Sequence, residues 1–83
     1  MTESTDAYRA LTNALRERLA LIADREFYQR DPAAHLARLQ AISGEIAAAA
    51  THLPPPVDPQ FAHYLQRGSY DKALAFLEDR HRA

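Results

Sequence analysis

An all-α fold is predicted by three features of the sequence: only two glycines in 83 residues, many Ala, Leu, Arg, Glu and Gln residues, and apolar residues that recur at steps of three and four with no alternation. The expected architecture is a long antiparallel helical hairpin plus a short C-terminal helix-turn-helix, a small four-helix bundle in one helical domain spanning residues 1–83. A chain of this length buries only around 60–65% of its unfolded surface, so a deep enclosed active site would need two copies to build it.

The first helix is expected over about residues 6–30. Tyr8, Leu11, Leu15, Leu19 and Ile22 fall on one stripe of it, and Thr5 or Asp6 suits its N-cap. Glu26 continues that stripe. A carboxylate there must be exposed or paired, with Arg30, Arg25 or Arg38 as candidates. Ala10, Ala14, Leu21 and Tyr28 form a second, weaker apolar strip on nearly the opposite side.

Asp31-Pro32 marks a boundary, because Asp is a good N-cap and Pro is pre-shaped for the first helical position. The second helix, about residues 32–52, carries Leu36, Leu39, Ile42, Ile46, Ala50 and Leu53 on one stripe and alanines on its back. Ser43-Gly44 in its middle costs helix propensity and suggests a close helix crossing. A break this short folds the two helices back on each other.

"LPPPVDP" at 53–59 cannot be helical in its middle, so residues 53–58 are expected as a stiff connector. Asp58-Pro59 repeats the cap-plus-proline device and opens a third helix, about 59–67. Gly68 supplies the left-handed residue that ends it. Ser69 caps a fourth helix, about 70–80, with Asp71 in its first turn, where the helix dipole favours negative charge. Tyr70, Ala73, Leu74 and Leu77 give that helix its apolar face, with Phe76 to one side.

Tyr64, Gly68, Tyr70, Ala73 and Leu77, within residues 59–79, resemble the helix-turn-helix of a single tetratricopeptide repeat. The resemblance implies a scaffold for binding peptides or partner proteins. Val57, Gln60, Phe61 and Arg80 depart from the pattern, and no second copy of the repeat occurs. A turn-around within a small bundle, using the same devices, is the expected role of this segment.

Composition excludes several functions. A net charge of -1, with Lys and Arg interleaved among Asp and Glu, lacks the basic footprint of a nucleic-acid binder. Arg9, Arg16, Arg18 and Arg25 spread over more than half of the first helix. With no cysteine there is no disulfide, thiolate nucleophile or Cys-based metal site. No apolar run approaches the roughly 20 residues of a membrane span, and the acidic start is unlike a signal peptide, so a cytoplasmic location is expected, with no membrane partner.

His35, His52, His63 and His81 show no i, i+4 metal pairing, and His35 reads as a packed residue near an apolar stripe. No catalytic residues, cofactor or metal are therefore expected. The function expected is a non-catalytic protein–protein interaction or adaptor module, self-associating as a homodimer because a two-helix hairpin alone encloses no core. Ala10, Ala14, Leu21, Tyr28 and Phe76 are the candidate partner-binding residues. The alternative is a ligand-binding or enzyme-accessory bundle with a dimer pocket near Glu26, Tyr28 and His35.

Overall fold

Helix propensity carries the chain wherever a cap or proline does not stop it. The computed structural model describes the backbone of residues 2–82 and the side chains of residues 6–79. Among these the protein is all-helical, with α1 (Thr2–Ala23), α2 (Arg25–Arg30), α3 (Pro32–Thr51), α4 (Pro59–Gln66) and α5 (Tyr70–Arg82). None of the described helices is long and apolar enough to cross a membrane.

The single helix expected over residues 6–30 is instead two. Asp24 leaves the helical region (φ -83°, ψ 82°), and its carboxylate accepts the Phe27 N–H at 3.1 Å while its own N–H reaches the Leu21 carbonyl. An aspartate that can cap a following turn competes with helix continuation, and here the cap prevails. The start also differs: α1 begins at Thr2, so Thr5 and Asp6 lie inside it. The side chains of Thr5, Arg80 and His81 fall outside the described residues.

Asp31 closes α2 and opens α3 at once. Its N–H donates to the Phe27 carbonyl at 2.9 Å and its carboxylate accepts from Ala34 N–H at 3.1 Å, with Pro32 in the first helical position. Asp58 opens α4 with the same cap, accepting from Gln60 and Phe61 N–H, with Pro59 in the first helical position. Between them, Leu53 anchors the start of the proline connector by burial. At the end of α4, Gly68 adopts φ 73°, Gly68 N–H donates to the Leu65 carbonyl and Ser69 N–H to the Tyr64 carbonyl, a Schellman closure.

The core is Leu11, Leu15, Ile42, Ile46 and Phe61, joined by Ala73, Leu74 and Leu77. α1 packs along α3, α5 packs on α1, α4 on α5, and the short α2 on α3. Glu17 meets Arg38 and Leu21 meets His35, whereas Ala7 and Ala10 share a cleft with Ala49. Residue numbers thus rise along α1 as they fall along α3. Phe61 joins the α4–α5 pair to the rest, with its ring 6.3 Å from Tyr8 and stacked 5.2 Å from Phe76.

Two expectations about helix faces fail. Ala14 and Leu21, assigned to a strip free for a partner, are buried within the chain, while Leu19 and Ile22, assigned to the core stripe, are 49% and 47% exposed. The covered arc of α1 is rotated towards Ala14 and Leu21 at its C-terminal end, where His35 of α3 meets the Leu21 carbonyl. Gly44 is no close crossing: a Cβ there would meet nothing within 4 Å.

Candidate functional site

The candidate site is the flank of the α1–α3 pair beyond the reach of α5, and sequence spacing locates its residues. Arg38 on α3 bridges to Glu17 on α1, which identifies one flank of the pair. Leu19 follows Glu17 by two residues and Leu36 precedes Arg38 by two, about 200° around each helix, so both leucines project from the other flank. Ile22 lies one turn beyond Leu19 on the same side.

α5 covers this flank only near its middle. Arg16 Nε lies 3.1 Å from Glu78 on α5, and the Arg18 guanidinium sits 4.7 Å from the centre of the Tyr70 ring; the Arg18 Nε is buried without a hydrogen-bond partner. Thr12 and Leu19 are seven residues apart and so only about 20° apart around α1. Yet Thr12 is 5% exposed and Leu19 is 49% exposed. Their difference lies in position along the helix, which decides whether α4 and α5 lie over them.

Helix lengths account for the shortfall. The 22 residues of α1 span about 33 Å and the 13 of α5 about 20 Å, so the shorter helix cannot cover the longer. Leu19, Ile22, Tyr28 at 54% and Leu36 at 55% are the exposed large hydrophobics among the described residues, and all belong to the α2 end of the molecule. Asp24, Arg25, Glu26, Arg30 and Asp31, all exposed, supply that end with charges of both signs.

Behind this end the structure is held by His35. A carbonyl only accepts, so the His35 Nε2 carries a proton and donates it to the Leu21 carbonyl at 2.9 Å. The rings of Phe27 and Tyr28 meet the imidazole edge-on at 5.4 and 5.3 Å. The buried imidazole thereby fastens α2 and the end of α1 to α3. His35 and Tyr28 do come together, but Glu26 is exposed in the first turn of α2. Arg38 is engaged with Glu17 and Glu45, and Arg30 lies over the Phe27 ring. The break at Asp24 changes the helical phase, so Glu26 does not continue the α1 stripe.

The remaining candidates lie elsewhere. Exposed Ala10 lines an open cleft of about 510 Å³ with Asp6, Ala7, Ala49 and His52, in which the His52 Nδ1 is committed to the Ala48 carbonyl at 2.8 Å. Half-buried Phe76 borders a shallow cleft of about 270 Å³ with Tyr64, Lys72, Ala75 and Asp79. Among the described residues no group of three or more His, Cys, Asp or Glu side chains could hold a metal ion. Leu19, Ile22 and Leu36 were missed as site residues because their spacing is that of a core stripe. Comparison with protein-family models, curated proteins and solved structures returns no match for this chain.

Proposed function

We propose that the protein is a non-catalytic helical interaction module. In this reading α1 and α3 form an antiparallel hairpin and α4–α5, a bundle turn-around, lie across one flank as a helix-turn-helix. The part of that flank left open beyond α5 is the docking face. The observation that carries it is the half-exposure of four large hydrophobics, Leu19, Ile22, Tyr28 and Leu36, all at the α2 end of the molecule. Contiguous apolar surface with a polar rim is how soluble proteins present a partner site. The near-balanced charge and the absence of cysteine suit a cytoplasmic protein that meets other proteins, not nucleic acid.

The test is a photo-crosslinking residue placed at Ile22, compared with the same residue at exposed Gln66 on α4, in a lysate of the source cells. Defined adducts at position 22, identified by mass spectrometry and lost on Leu36→Lys, are expected. Equal labelling at both positions, or none at 22, removes the reading.

A further inference from the structure

Resting on the docking face just proposed, we infer that its occupant is a second copy of this chain, paired about a two-fold axis so that Leu19, Ile22 and Leu36 of each copy cover those of the other. On the inner part of the flank, α5 already shows what the surface accepts: a helix with an apolar face and a charge of either sign at its edge. Arg16–Glu78 pairs across that contact, and Arg18 lies over Tyr70. The outer part presents the same kind of face, and the outer part of another copy is such a face.

Size and charge favour this occupant. Three half-exposed large side chains, Leu19, Ile22 and Leu36, leave on the order of 300 Å² of apolar surface, the scale at which a patch on a monomer is often functional. Two such patches, with their rims, reach the lower end of specific interfaces, so a dissociation constant on the order of 10–100 µM is expected. The exposed Asp24, Glu26 and Asp31 beside Arg25 and Arg30 give that end both signs of charge, the composition that a two-fold axis needs to set acid opposite base. With a net charge of -1 the copies barely repel one another. A strongly basic or strongly acidic partner would find no matching field.

The experiment uses the whole chain, in sedimentation equilibrium from about 5 µM to about 1 mM, a range that brackets the expected constant. It compares wild type with Leu19→Lys/Leu36→Lys, whose helix content is followed by circular dichroism. Because the natural chain has no cysteine, Ile22→Cys and Gln66→Cys single variants add an oxidative crosslinking readout that does not depend on the lysine variant folding. The expected result is a mass rising towards two chains in wild type, with a covalent dimer forming several-fold faster from Cys at 22 than from Cys at 66. The folded lysine variant then stays at one chain.

A wild-type mass of one chain throughout, or equal crosslinking from the two cysteine variants, overturns self-pairing at this flank. A dimer that persists in the folded lysine variant overturns it as well. Photo-adducts at Ile22 to other proteins, combined with a monomeric mass, retain the docking face and remove only the second copy as its occupant.

Discussion

Gly44 and Gly68 are the same residue type in opposite situations. Gly44 is helical and exposed, with open space where a Cβ would stand, so Gly44→Ala is expected to raise stability by up to about 1 kcal/mol. Gly68 at φ 73° also has open space, but a side chain strains that backbone, so Gly68→Ala should cost about 1 kcal/mol. Urea midpoints of the two variants moving in opposite directions, at unchanged slope, are the check. His35 combines burial with a hydrogen bond to a helix-end carbonyl. His35→Ala should cost about 2 kcal/mol through the lost packing and the lost donor. The glycine in the turn and the packed histidine were legible in the sequence, since both follow from local chemistry.

Among the elements, the division of the expected first helix carries the most consequence. Asp24 caps α2, so Asp24→Ala is expected to destabilise by about 1 kcal/mol and to speed amide exchange at Phe27, whose N–H it accepts. Amide exchange read by NMR distinguishes this from a global effect: residues in the middle of α1 should slow or speed only with overall stability. Asp31-Pro32 and Asp58-Pro59 announced their helix starts because the proline removes the competing conformation. Asp24 has no proline after it, and the apolar periodicity runs through the break, so nothing local marked it. Phe61 shows how an element is joined to the rest: it contacts Tyr8 and Phe76 at once, and Phe61→Ala should cost about 3–5 kcal/mol, enough to release α4 and α5 from α1.

At the scale of the whole molecule, the extents of 42 × 23 × 22 Å describe a rod whose longer helices outrun their cover. The proposed pairing at the uncovered end rests on apolar burial with a rim of both signs. Its dissociation constant should therefore change by less than about tenfold between low and high salt, unlike an interaction built on one sign of charge. Sedimentation at two salt concentrations measures this. Adding charge at Ala10 on the opposite end, by Ala10→Lys, should leave the constant unaltered.

The sequence by itself determined the helical class, the capped starts at Pro32 and Pro59, the turn at Gly68 and the near-balanced charge. These depend on backbone preference, capping and charge, which act over a few residues or over composition. Tertiary structure decided which apolar residues are covered. Ala14 and Leu21 face α3 and are buried, whereas Leu19 and Ile22 belong to an equally regular stripe and remain half exposed because α5 is too short to lie over them. Periodicity states that a side chain lies on an apolar face, but only the length and placement of the neighbouring helix state whether water is excluded from it.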